Sequence, residues 1–271
     1  MNSPALHIGV ERHVAHIRLN RPEAHNAING AIFEGLIDYA RTIIKAPGDV
    51  RAIVLSGNGK SFCAGLDMGF LAEMMAGDLD DGREDVADAL EDMSNAGANR
   101  AQQVAWLWQE MPVPVVAAIH GAALGGGLNL ALGADMRVIH PAAKLGFVEI
   151  NFGLLPDMSA TQSLRRLVPL DRIKHLVMTG QKFSGEEAMA YGLATQLSAS
   201  PVEDALKIAG QIASQNPDAV RAAKSLLNES ALVSVADGLA LETQAMRDLL
   251  GTPNQLEAIA AHFEAREAKF V

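Results

Sequence analysis

The stretch from His120 to Asp135, HGAALGGGLNLALGAD, decides how this chain is read. The apolar run Val113 to Ile119 leads into it, three glycines follow at Gly125 to Gly127, and Leu128 to Leu132 then reads as a helix. A buried strand that breaks on glycines and restarts as a helix leaves bare N–H groups at a helix N-terminus, where the macrodipole is positive. Such an end suits an anion or a developing oxyanion. The same glycines also fit a tight turn in which a missing Cβ only relieves crowding, so the rest of the chain has to decide.

Working outward, the order of elements predicts an α/β protein. His13 to Leu19 alternates as a strand does and ends in the polar loop LNRPEAHNAIN; a helix over about Gly30 to Lys45 carries Ile32, Leu36, Ile37, Ala40 and Ile44 on one face. Arg51 to Ser56 is a short buried strand followed by a second glycine-rich loop, GNGKSFCAGLD. A short helix is expected over 69–75, and an acidic stretch over 77–92 reads as a solvated surface loop or as a lid over a pocket. A long helix is expected over Met93 to Glu110, then the strand Val115 to Ile119 and the glycine stretch. Short strands follow at Met136 to His140, Lys144 to Val148 and Leu193 to Leu197, with helices at roughly 159–168, 171–179 and 184–191, the last opened by the capping box Ser184/Glu187. Beyond Pro201 all is helical: 201–214, 217–229, 235–250 and 253–266. That switch divides the chain into a core over 1–198, a mainly parallel sheet covered by helices, and a helical segment over 199–271.

Composition narrows the function. The 271 residues are 49% hydrophobic, 20% charged and only 4% aromatic, which favours a close-packed α/β protein over a β-sandwich. A formal charge of -10 leaves no basic surplus to neutralise phosphates, so nucleic acid and anionic membrane surfaces are not the expected partners. The single cysteine, Cys63, fits a reducing compartment, the first residues show no targeting pattern, and a cytoplasmic location is expected. The eight histidines show no metal-binding spacing. Gly59-Lys60-Ser61 imitates the end of a phosphate loop, but Val54 stands where that motif needs glycine, and Leu130 stands where a dinucleotide fingerprint needs its third glycine.

What remains is a constellation. Two glycine loops end buried strands, at Ala64-Gly65-Leu66-Asp67 and at Gly125 to Gly127, and two N–H groups converging on one carbonyl would make an oxyanion hole. Glu149 follows a short strand among Phe147, Val148, Ile150, Phe152, Leu154 and Leu155, and Asp157 lies eight positions on. Carboxylates in an apolar neighbourhood have raised pKa values and can serve as acid and base near neutral pH. Asp157 fits equally well as an N-cap for the helix expected near Ser159.

LNRPEAHNAIN, SFCAGLD, HGAALGGGLNLALGAD, FVEINFGLLPD, GEEAMAYGL and the terminal HFEAREAKF, in that order and spacing, resemble the crotonase superfamily of enoyl-CoA hydratases and isomerases over nearly the whole chain. The resemblance implies a spiral of ββα turns with a C-terminal helical segment that builds a homotrimer, or a hexamer of stacked trimers. It implies an acyl-coenzyme A thioester as ligand, with no separate cofactor and no metal, since the coenzyme A is part of the substrate. Carried over by position, the oxyanion hole falls on the backbone N–H groups of Leu66 and Gly126. Ala24, Ala64, Asp67, Met68, Gly125 and Asn129 line the substrate site, and Lys269 and Phe270 reach coenzyme A from a neighbouring segment or subunit.

Within the superfamily the chain departs from the hydratase pattern. The second hydratase glutamate matches Glu149, but the first matches Asn129, and an amide does not exchange a proton usefully. Asp157 matches the second acid of the dienoyl-CoA isomerases, and the insertion before Met93 also resembles that subgroup, although those enzymes too carry an acid where Asn129 stands. The expectation is a double-bond isomerase using Glu149 and Asp157. Hydration, another lyase reaction and a non-catalytic acyl-CoA binder are the alternatives.

Overall fold

The computed structural model describes residues 4–70, 72 and 93–271. The helix expected over 69–75 lies largely outside these residues, and the acidic stretch 77–92 wholly so.

The main sheet has six strands in the order β1 (Leu6–Glu11), β2 (Val14–Leu19), β3 (Ala52–Gly57), β4 (Val115–Ile119), β6 (Met136–Ile139) and β9 (Gln196–Leu197). Only β1, which the sequence reading missed, runs antiparallel to its neighbour. A second sheet of three strands holds β5 (Ala122–Leu124), β7 (Lys144–Gly146) and β8 (Phe183–Ser184). The chain shuttles between the two: β4 enters the first, β5 the second, β6 the first again and β7 the second. This winding is the expected spiral.

Alternation along β3 and β4 divides the core. Ile53, Leu55, Val115 and Ala117 face α1 (Gly30–Lys45), α2 (Arg100–Glu110) and α3 (Gly126–Gly133), whereas Ala52, Val54, Val116 and Ala118 face the other way. On that second face lies α7 (Pro201–Ala213), seated by Ala205, Ala209 and Ala213 at a spacing of four, which puts three small side chains on one stripe. The first helix beyond β9 therefore belongs to the sheet's own layering. α8 (Pro217–Ser230), α9 (Val235–Leu249) and α10 (Pro253–Phe263) complete the chain.

Two expected helices are shorter than their patterns suggested. α2 begins at Arg100, not Met93, because Gly97 takes φ +81° and Asn99 forms a reciprocal capping box with Gln102. α4 covers only Ala160–Leu164: Ser159 before it is left-handed (φ 61°, ψ 4°) without a capping bond, and the helix stops at the C-cap Arg165. α5 (Leu170–Thr179) and α6 (Gly185–Tyr191) lie where expected, and the Ser184/Glu187 box is present.

One charged tie crosses the fold. The Nζ of Lys224, on α8, lies 2.8 Å from Asp135 Oδ2 and donates to the carbonyls of Trp108 and Val113. Asp135 also accepts from the N–H of Val115. Burial pushes Lys224 below and Asp135 above the ordinary range, and each charge holds the other ionised against that pressure.

Candidate active site

Three backbone segments make the floor of the site. Residues 63–67 lie between the loop at 25–28 and β5, held by Cys63 N–H to Ala122 O (3.0 Å), Leu124 N–H to Cys63 O (3.1 Å), Ala64 N–H to His25 O (3.0 Å), Ile28 N–H to Gly65 O (2.8 Å) and Asp67 N–H to Ile28 O (2.9 Å). Two glycines allow the approach. Gly65 sits at φ +102°, where a methyl group would lie 2.8 Å from Leu124 O and 3.7 Å from Gly126 N. A methyl on Gly127 would overlap the carbonyl oxygen of Cys63. The two loops are thus packed backbone on backbone, with Leu66 and Gly126 at the contact. Neither donates to an acceptor among the described residues. The side chains of Met158, Ile28 and Leu66 wall Gly126, with the Met158 sulfur nearest.

Glu149 opens a 3-10 turn, Glu149–Phe152, directly after β7 and Val148, and its carboxylate lies against Gly125. Asn129, one turn into α3 and 2% exposed, donates from Nδ2 to Glu149 Oε1 at 3.0 Å. Glu149 Oε2 and Asn129 Oδ1 are both buried without a partner. Burial is the main cause that raises the Glu149 pKa above the usual carboxylate range, with the nearby negative charge of Asp157 adding to it, while the Asn129 amide pulls it back. Asp157 is exposed and does not cap α4, whose N-cap is Ser159, so the capping alternative is corrected.

The other expected site residues separate into two groups. Ala24, ending the turn Pro22–Ala24, and Ala64 are half-buried and joined through His25, and Met68 is 58% exposed beside them. Asp67 has a structural task as well. It pairs with Arg21 at 2.9 Å and accepts from Gly69 N–H, and the Arg21 bond holds its carboxyl below the usual range. Lys269 and Phe270 are not brought to the site within this chain. The Phe270 carbonyl accepts from Arg51 and Lys269 N–H donates to Glu257. Arg51 precedes β3 and the glycine loop follows it, so the tail lies at the opposite end of a six-residue strand, roughly 20 Å long.

Sequence reasoning missed Met158 and Ser159. Ser159 is 8% exposed, its hydroxyl has no partner, and its φ is one that side chains other than glycine's rarely adopt. Ser159→Gly is expected to stabilise the protein by about 1 kcal/mol, raising Tm by roughly 2–4 °C. A drop in Tm in a thermal melt would show instead that the hydroxyl holds the turn.

Backbone N–H groups without an acceptor among the described residues thus lie on glycine loops, one of which has the half-buried Glu149 against its Gly125. Residues 9–271 match the family model for enoyl-CoA hydratase/isomerase. The chain belongs to that family and has the crotonase fold. It is 32% identical over 269 residues to an enoyl-CoA isomerase/hydratase, fer4, of Mycosarcoma maydis, covering 95% of this chain and 92% of the other. It is 33% identical over 265 residues to a crotonyl-CoA hydratase of Syntrophomonas wolfei, covering 96% and 95%. The crystal structure of an enoyl-CoA hydratase from Bacillus anthracis superposes with a TM-score of 0.86 at 32% identity, covering 98% of both chains. No helix among the described residues is long and apolar enough to cross a membrane.

Proposed function

We propose that the protein isomerises a carbon–carbon double bond in an acyl-coenzyme A thioester. The observation that carries this reading is the half-buried acid Glu149, which among the described residues is held by the amide of Asn129 and not by a second carboxyl group. The thioester oxygen sits between the N–H groups of Leu66 and Gly126, which stabilise the enolate as charge develops on it. Glu149 removes a proton from the bound acyl chain through Oε2. Asp157, near enough for its charge to act on Glu149, returns one further along a conjugated system. Ala24, Ala64, Asp67, Met68 and Gly125 line the approach for the coenzyme A portion.

A hydratase is the second reading, favoured by the names that several relatives carry. The deciding experiment mixes the enzyme with a medium-chain 3,5-dienoyl-CoA and follows the absorbance of the 2,4-dienoyl product. A rise supports isomerisation; water addition to a 2-enoyl thioester with no such rise supports the hydratase. In the same assay Asp157→Asn is expected to lower kcat about a hundredfold. Unchanged turnover would reduce the chemistry to a one-acid shift of an isolated double bond.

The assembly we infer is a homotrimer or a stacked pair of trimers, in the cytoplasm. α9 buries no residue within its own chain, although Val235, Leu239 and Met246 are apolar and exposed on it. From a neighbouring subunit, Lys269 and Phe270 would reach the coenzyme A.

A further inference from the structure

A cavity of about 450 Å³ lies under α8, walled by the end of α3 (Leu132), the start of β6 (Met136), α4 (Ser163), α7 (Ile212) and α8 itself (Val220). It is not the site described above. α3 has eight residues, about 12 Å of helix, with the Gly126 N–H at its first turn and this cavity at its last. The volume falls within the roughly 300–1,000 Å³ of small-molecule sites, and the walls are mostly apolar.

The polar groups in it are unevenly matched. Three cations, Arg137, Arg166 and Lys224, line the cavity against one acid, Asp135, among the described residues. Lys224 already matches Asp135 at 2.8 Å. Arg137, 4% exposed, donates from Nε to Leu193 O at 2.6 Å and from Nη1 to Ala134 O at 2.7 Å, both uncharged acceptors. Arg166 is half-buried and its Nε has no acceptor. Ser163, three residues earlier and 5% exposed, leaves its hydroxyl without a partner too. Surplus positive charge and idle donors beside apolar walls cost free energy that an anionic acceptor restores.

We propose that this cavity is a second ligand site, which binds a carboxylic acid with an apolar tail. The carboxylate meets Arg166 and the Ser163 hydroxyl, and the tail lies among Leu132, Met136 and Ile212. A planar carboxylate suits a guanidinium because two parallel N–H···O bonds form at once. A wholly polar anion would leave the apolar walls uncovered. The proposal does not depend on which reaction Glu149 performs.

The test is calorimetric titration of octanoate and of octanol into the whole enzyme, with Arg166→Gln, Val220→Trp and Glu149→Gln beside the wild type. Octanoate is expected to saturate the protein and to bind at least about tenfold more tightly than octanol, the ratio that a charge-assisted hydrogen bond supports. Arg166→Gln brings that ratio to about one. Val220→Trp fills the cavity from α8 and abolishes binding, while Glu149→Gln, at the other site, binds octanoate as the wild type does. If thermal melts show that Val220→Trp does not fold, Arg166→Gln decides, because its side chain is half-buried and holds no partner in place. Absence of octanoate binding, equal affinity for octanol, or a preference that survives Arg166→Gln overturns the proposal. So does binding that is kept in Val220→Trp and lost in Glu149→Gln, since it places the acid at the catalytic site.

Discussion

Glu149→Gln is expected to lower kcat by about a thousandfold while acyl-CoA affinity stays within a few-fold of the wild type. The substitution keeps the size of the side chain and its place beside Asn129 and Gly125, and removes the group that carries the proton. Under the proposed function affinity survives, because the thioester oxygen would be held by main-chain donors on other segments. The pH profile gives a second readout. Burial raises the Glu149 pKa, and the base is needed ionised, so kcat/KM is present above that raised value and falls as the pH drops through it. The acid limb therefore lies above the usual carboxylate range. A fully active Glu149→Gln enzyme, or an acid limb at an ordinary carboxylate pKa, would remove Glu149 from the chemistry.

The largest effect on stability is expected at Lys224. Lys224→Ala leaves Asp135 buried beside a vacated space and strips the donor from the carbonyls of Trp108 and Val113. Breaking one side of a buried pair costs about 3–5 kcal/mol, and Tm is expected to fall by about 10 °C. Adding Asp135→Asn to Lys224→Ala should recover part of the loss, because the amide keeps an acceptor for Val115 N–H without the stranded charge. Chemical denaturation of the three variants measures this. A single-variant loss under about 1 kcal/mol would mean that α8 is held by its apolar contacts alone.

Much of the fold was readable because its signals are local. Asn29 accepts from Ile32 N–H at the start of α1, and Ser184 caps α6, as their spacing indicates. The C-terminal helices fall within a few residues of their periodic stretches. The small sheet was not readable: β8 has two residues and β5 three, too short for any alternation to register. The start of α2 was misplaced because Gly97, the residue that excludes a helix there, sits inside an otherwise helix-compatible composition.

At the site, Glu149, Asn129, Leu66 and Gly126 were legible from motifs, and the structure brings them together. Met158 was not, since nothing in a methionine's local sequence tells which helix N-terminus it will cover. Lys269 and Phe270 were expected to reach the ligand from a neighbouring segment or subunit; within this chain Arg51 holds the Phe270 carbonyl at the far end of β3, which leaves the subunit route.

The packing of Gly127 against Cys63 O means that the paired N–H donors belong to the main chain and are set when the two loops close. Only proline at 66 or 126 would remove a donor itself, and a side chain at Gly65 or Gly127 would force the loops apart. The geometry of these donors is therefore insensitive to most side-chain changes nearby, whereas the acid at Glu149 rests on one side chain and its Asn129 contact. One part of the site is thus written in the backbone and the other in two side chains, and they answer to different kinds of substitution.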